Sequence, residues 1–408
     1  MKLRQAIFWI HLTCGCLTGV VILFLSATGC ILAYEKEAIA WQERGYHSAP
    51  PQGDASPLPL DRLLAIAAAT TGKRSSAVIV RADTSAPVEI DFGHEQRLFL
   101  NRYTGAVLGG GAIRTRAFFD AVTGLHRWFG ASPESRPAAR AVQGAIDLTL
   151  LLLIISGGFL WLPGSLKWQR LKAVTFLRFG LAGRAREWNR HNVLGLWLGF
   201  PMAIIAITGA IMAFGWAANL LFLITGSPLP ESAHTAIITR HRSHQDAELK
   251  QPASFVDMQQ ILDTAERQAA GWRVLRLGMP NPADRSIAIS IDFLDNSRPD
   301  RTAEMVVDRR TGAVLKLNTF SSNSLGAQLR LFTRSIHTGS AGGLAGQTAA
   351  GLTSLACCIL VWSGLSMSIQ RLRGSAMFAR RALRPEMVNS TAQVTTEGSA
   401  GSADIEFE

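Results

Sequence analysis

Cysteine is scarce, and the five that occur, at positions 14, 16, 30, 357 and 358, all lie inside long apolar runs. The polar stretches between those runs contain none, which excludes a disulfide framework or a CxxC metal site there. The five read as small apolar packing residues. No GxGxxG follows a strand-like stretch and no P-loop occurs, so no nicotinamide-, flavin- or nucleotide-binding domain is visible. Acidic residues are outnumbered, 30 against 41 Lys and Arg, for a formal charge of +11. No nucleic-acid-binding motif accompanies that excess, so its explanation lies elsewhere.

Hydrophobic residues make up 48% of the chain and charged ones 17%, the balance of a membrane protein. A span needs about 20 predominantly apolar residues, and four stretches qualify: 6–34, 138–162, 191–223 and 344–369. Segment 163–190 carries Lys167, Arg170, Lys172, Arg178, Arg184, Arg186 and Arg190 against the single acid Glu187, and the tail 370–408 carries Arg371, Arg373, Arg380, Arg381 and Arg384. With Lys2 and Arg4 at the start, all these clusters fall on one side, which the positive-inside rule makes the cytoplasm. There they face anionic membrane lipid. Both termini are then expected in the cytoplasm, and segments 36–136 and 226–338 outside. Lys2, Arg4 and the sequence Ala27-Thr28-Gly29-Cys30 loosely resemble a cleaved signal. The run is long for that role, and cleavage would discard a repeated element, so it is read as the first span.

That element is HLTCGCLTGVVILFLSATGCILAY from position 11, which returns as HNVLGLWLGFPMAIIAITGAIMAF from position 191. Without a gap, His11 falls on His191, Gly15 on Gly195, Gly19 on Gly199, Thr28 on Thr208 and Gly29 on Gly209. Glycines four and eight residues after a histidine share its helix face. A flat macrocycle ligated by the imidazole would lie against that bare backbone, so the pattern reads as a haem-binding face with an axial histidine. Small residues four apart also serve close helix packing with no cofactor. Repetition at identical spacing favours the ligand.

The outer segments repeat as well. Helical spacing at 60–70 is followed by strand-like stretches at 76–81, 87–92 and 97–103; the second segment gives a helix at 254–270 and strands at 274–278, 286–293 and 303–308. Asn101-Arg102-Tyr103-Thr104-Gly105-Ala106-Val107-Leu108 nearly matches Asp308-Arg309-Arg310-Thr311-Gly312-Ala313-Val314-Leu315. Each unit predicts a small α+β module held between two spans. An amphipathic stretch with a histidine, His126 or His337, precedes the next span in each half, and Ser156-Gly157 and Ser363-Gly364 occupy similar places near the ends of spans two and four. The chain is therefore expected to be a tandem duplication. His11 and His191 begin outward-going helices, and His126 and His337 precede inward-going ones, giving one pair per leaflet. Arg127 and Arg334, and less so Arg190, are candidate partners for haem propionates.

This arrangement resembles the PepSY-associated transmembrane family and, within it, single-chain ferric-siderophore reductases of bacterial inner membranes; the resemblance covers about residues 5–372. It implies a membrane α-helical fold of four transmembrane helices with two periplasmic PepSY-like modules, and for the reductase branch two haem b groups. The absence of CxxCH makes them non-covalent. The implied activity is reduction of a ferric chelate or siderophore, with electrons from a quinol or a separate donor protein. Two alternatives stand beside it: a non-enzymatic PepSY protein that binds or regulates a peptide or peptidase, and electron delivery to another periplasmic acceptor. His234, His241 and His244 are read as an exposed loop rather than a metal site, His47 and His94 as surface residues, and the tail after about 388 as disordered.

Overall fold

The computed structural model describes residues 3–50, 55–93, 96–162, 168–230, 255–282, 284–294 and 298–382. The first half runs through helices α1 (Leu3–Leu32), α2 (Glu35–Glu43) and α3 (Leu60–Thr71), strands β1 (Ala77–Arg81), β2 (Val88–Asp91), β3 (Arg97–Leu100) and β4 (Val107–Gly109), and helices α4 (Ile113–Trp128) and α5 (Arg136–Trp161). After α6 (Trp168–Thr175) the second half repeats the order. Helices α7 (Gly183–Ala213), α8 (Gly215–Ile224) and α9 (Met258–Gln268) lead to strands β5 (Val274–Gly278), β6 (Ser286–Asp292), β7 (Thr302–Asp308) and β8 (Val314–Thr319). Helices α10 (Leu325–His337) and α11 (Gly343–Ala382) end the described chain.

Four helices, built on α1, α5, α7 and α11, are long and apolar enough to cross a membrane. They close into a ring: α1 packs on α5 and α11, and α7 packs on the same two. Three boundaries differ from the hydropathy reading. Helix α7 starts at Gly183, so His191 sits in its third turn rather than at its first residue. The apolar run expected to continue to 223 breaks at Phe214, whose backbone is extended, and α8 follows as a separate helix. The last helix continues past 369 to Ala382. Hydropathy marks where apolar residues stop, whereas backbone bonding carries a helix on through Arg and Asn. Buried Asn189, in the second turn of α7, ties the helix to α6 and the loop after it, accepting from Arg178 N at 3.0 Å and donating to Ala173 O at 2.8 Å.

The outer segments do not stay as two separate modules. Their strands form one antiparallel sheet of eight, in the order β4-β3-β2-β1-β5-β6-β7-β8. The join is β1 on β5, with Ala77 opposite Gly278 and Arg81 opposite Val274. A single core results, in which Leu60, Leu63, Val78, Ile90 and Leu100 of the first half meet Ile261, Leu275, Leu277, Ile289 and Met305 of the second. The repeated Thr-Gly motif is the turn that adds each outermost strand. Asn101 and Asp308 accept from the N–H groups two and three residues on, and Gly105 and Gly312 take positive φ, 74° and 71°, before the chain doubles back. Side-chain closure of such a turn is the ordinary role of Asn and Asp, and the left-handed step that of Gly.

Helices α3 and α9 lie side by side, and each caps the other. Their N-cap residues, Pro59 and Asp257, offer no side-chain cap. Instead Leu60 N donates to Gln259 Oε1 at 2.8 Å, while Met258 N and Gln259 N donate to the Asp61 carboxylate at 3.0 Å each. The orphan N–H groups of each helix start are thereby satisfied from the other half of the chain.

Candidate functional site: two histidine pairs between the helices

The ring of helices brings the four repeat histidines into two pairs. The ring centres of His11 and His191 lie 6.3 Å apart with planes at 89°, and those of His126 and His337 lie 6.5 Å apart at 59°. His11 and Thr28 are both on α1, and His126 bonds Thr28, so the second pair lies about 25 Å further along that helix at 1.5 Å per residue. It is on the side of the sheet; the first pair is on the opposite side.

Every one of the four rings is held by Nδ1. His11 Nδ1 meets Ser156 Oγ at 2.9 Å, and His191 Nδ1 meets Ser363 Oγ at 3.2 Å and Leu360 O at 3.0 Å. His126 Nδ1 meets Thr28 Oγ1 at 2.8 Å, and His337 Nδ1 meets Thr208 Oγ1 and Ile205 O, each at 3.1 Å. The hydroxyl protons are already committed, because each hydroxyl donates to a carbonyl of its own helix: Ser156 to Leu152, Ser363 to Leu360, Thr28 to Phe24 and Thr208 to Ile204. The oxygen can then only accept, so Nδ1 carries the proton and Nε2 is left with its lone pair. Among the described residues no Nε2 of the four has a hydrogen-bond partner. Fixing the tautomer and ring orientation through the far nitrogen is how metal-ligating histidines are commonly arranged.

Spacing supports the same reading of the donor set. A metal in line between two imidazole nitrogens, about 2 Å from each, sets the ring centres about 6 Å apart once each centre is placed about 1 Å behind its nitrogen. Both observed separations match that figure. Among the described residues no group of three or more His, Cys, Asp or Glu converges on one point. The pairs therefore suit a metal whose remaining ligands come from elsewhere, as the four pyrrole nitrogens of a haem do.

Glycines make room for the rings, though not the ones that spacing singled out. A Cβ on Gly157 would lie 3.3 Å from His11 Cε1, one on Gly364 3.0 Å from His191 Cε1, and one on Gly29 3.4 Å from His126 Cε1. The stripe glycines meet neighbouring helices instead: Gly15 faces Leu153 and Gly199 faces Ile154, both of α5, while Gly195 faces Leu360 and Gly19 faces Leu365, both of α11. At Gly19 a Cβ would come within 3.0 Å of Leu365, so close approach of α1 and α11 depends on that glycine.

A cavity of about 240 Å³ opens beside the sheet-side pair, lined by His126 and His337 together with Arg127, Arg140, Arg334 and Asp147. Among the described residues these three arginines form no ion pair. Arg127 and Arg136 stack on Trp128, with guanidinium carbons 4.7 and 4.3 Å from its ring centre. On the opposite side Arg190 lies 3.7 Å from Glu187, which also holds Arg186. Sequence reading missed the four orienting hydroxyls and Asp147. The hydroxyls were visible as repeat matches, but the helix each one serves was not; Asp147 breaks the repeat and left no such trace. His47 is exposed, and His94, His234, His241 and His244 lie outside the described residues.

The chain matches the family model described as PepSY-associated TM region over residues 8–371. No curated protein matches it. A match over that much of the chain, with four membrane-length helices, makes this protein a member of the PepSY-associated transmembrane family.

Proposed function

We propose that each histidine pair holds one non-covalent haem b, and that the chain carries single electrons across an inner membrane to a ferric chelate on the side of the sheet. The observation that carries this reading is the pairing itself: two sets of facing imidazoles, each with Nδ1 protonated and tied back, at the separation that bis-imidazole ligation requires. When bound, haem supplies reversible one-electron chemistry at the iron. The protein's part would be to hold each haem through the two imidazoles of a pair, His11 with His191 and His126 with His337. Ser156, Ser363, Thr28 and Thr208 fix the rings, and Gly157, Gly364 and Gly29 admit them. Arg127 and Arg334 offer charge to propionates at the sheet-side cavity. With a site near each end of the helix ring, the distance between donor and acceptor is divided, and no proton-transfer residue is required for the step. Release of iron follows from reduction, because ferrous ion is held less tightly than ferric by hard oxygen ligands. The donor is a quinol or a separate protein, since no cofactor domain is visible in the sequence.

Absorption of the purified protein tests this. A Soret band with α and β bands that sharpen on adding dithionite is the expected result. A colourless protein would contradict it and favour a PepSY protein that binds a peptide or peptidase without electron transfer.

A further inference from the structure

The frame around the sheet-side cavity differs between the two halves at several places, and one of these differences puts a buried carboxyl on the cavity. Helices α5 and α11 correspond position by position at a separation of 207, which superposes Gly144 on Gly351, Ser156 on Ser363 and Gly157 on Gly364. At the same separation Asp147 falls on Ser354. Their surroundings correspond too. A Cβ on Gly29 of α1 would lie 3.6 Å from Ser354 Oγ, and one on Gly209 of α7 would lie 2.6 Å from Asp147 Oδ2. One half of the frame therefore presents a hydroxyl where the other presents a carboxyl. Asp147 Oδ2 is buried without a hydrogen-bond partner, and its side chain lines the cavity shared by His126 and His337.

An unpaired carboxyl inside a membrane helix ring is costly to bury, and such residues mark function rather than packing. The other charged groups on that cavity are Glu35, Arg127, Arg140 and Arg334. A negative charge close to a redox centre stabilises the more positive, oxidised state through the low-dielectric interior. Resting on the haem reading above, we propose that Asp147 is a tuning residue: as a carboxylate it makes the sheet-side centre a stronger reductant than a neutral residue there would. Beside the opposite pair the buried carboxylate, Glu187 one turn before His191, is instead held by Arg186 and Arg190. A strong reductant at that end suits an acceptor whose ferric form is tightly bound and therefore hard to reduce.

Redox potentiometry on the purified full chain tests the proposal, following the Soret region in wild type, Asp147→Asn and Asp147→Ser. Asn keeps the shape, and Ser reproduces the residue at the equivalent place, so one variant covers a folding failure of the other. With the titration run at alkaline pH, where the Asp147 carboxyl has lost its proton, the component that is lost in His337→Ala should titrate higher in both variants. At fixed ambient potential its reduced-to-oxidised ratio should rise about tenfold, equivalent to about 59 mV for one electron, while the other component stays in place. Two haem components with no shift, or with equal shifts in both, would overturn the role of Asp147 and leave the haem reading intact. A wild-type protein without any Soret component would overturn both together.

Discussion

The proton on Nδ1 is fixed by a hydroxyl group on a different helix of the same half of the chain, and this has consequences for single substitutions. Thr208→Val keeps the shape and removes one of the two acceptors for His337, leaving only Ile205 O. Loss of such an orienting partner typically costs 10- to 100-fold in metal affinity. Haem titration of the variant should show weakened retention at the sheet-side site alone. His337→Ala and His191→Ala should each remove one spectral component and leave the other, because the two pairs share no ligand; loss of the same component in both would contradict the pairing. Alanine also leaves a cavity, so membrane insertion of each variant has to be verified. The pairing of the four histidines was legible in the sequence, since each is framed by a repeat and the order of the spans puts two at each end of the helix ring. Thr28, Thr208, Ser156 and Ser363 were legible only as matching letters. The contact each one makes spans at least 98 residues along the chain, a distance that no local pattern reports.

Among the elements, the crossing of α7 and α11 depends on Gly364. A Cβ there would lie 3.0 Å from His191 Cε1, tighter than the ring can accept without moving. Gly364→Ala should shift the spectrum or occupancy of the site opposite the sheet and leave the sheet-side site unchanged. The turn from α10 to α11 is equally constrained. Gly339 has φ of 76°, and a Cβ on it would run into Gly346 O. Gly339→Ala should therefore displace His337 as well as lower stability. In the sheet, Asp91 feels burial, which would push its carboxyl up, but the Gly93 N–H, the Arg276 guanidinium at 2.8 Å and nearby Arg97 outweigh it and hold the group below the usual carboxylate range. A folded-state value below the unfolded one contributes stability that is present above about pH 4 and lost as pH falls through the folded value. Asp91→Asn should flatten that acid limb when melting of the sheet is followed against pH; an unchanged limb would assign it to other carboxylates. The strand stretches were readable by alternation, as in β6, where Ser286 is exposed, Ile287 buried and Ala288 exposed. Strands β4 and β8 were not, because each is recognisable only by the antiparallel partner it returns to.

In the whole molecule, the sheet is what makes two repeats one body. Leu277 is fully buried opposite Val78 at the β1 and β5 join, and Leu277→Ala should cost about 2–5 kcal/mol, the range for emptying a core leucine. Because the core is shared, both halves of the sheet should melt together in the variant; two separate transitions would contradict a continuous core. The repeated order of elements was legible from the Thr-Gly motif and the twin spans, but the joining of both sets of strands into one sheet was not. Val78 pairs with Leu277 across the join, a contact too distant in sequence for a local pattern to report. The same two-fold arrangement puts two histidine pairs, and no third, inside the helix ring among the described residues. The central claim therefore reduces to a stoichiometry. A pyridine haemochrome assay on the purified full-length chain, with protein quantified independently, should give the spectrum of haem b at two haems per chain. One haem per chain would mean that a pair has been misassigned, and none would contradict the account.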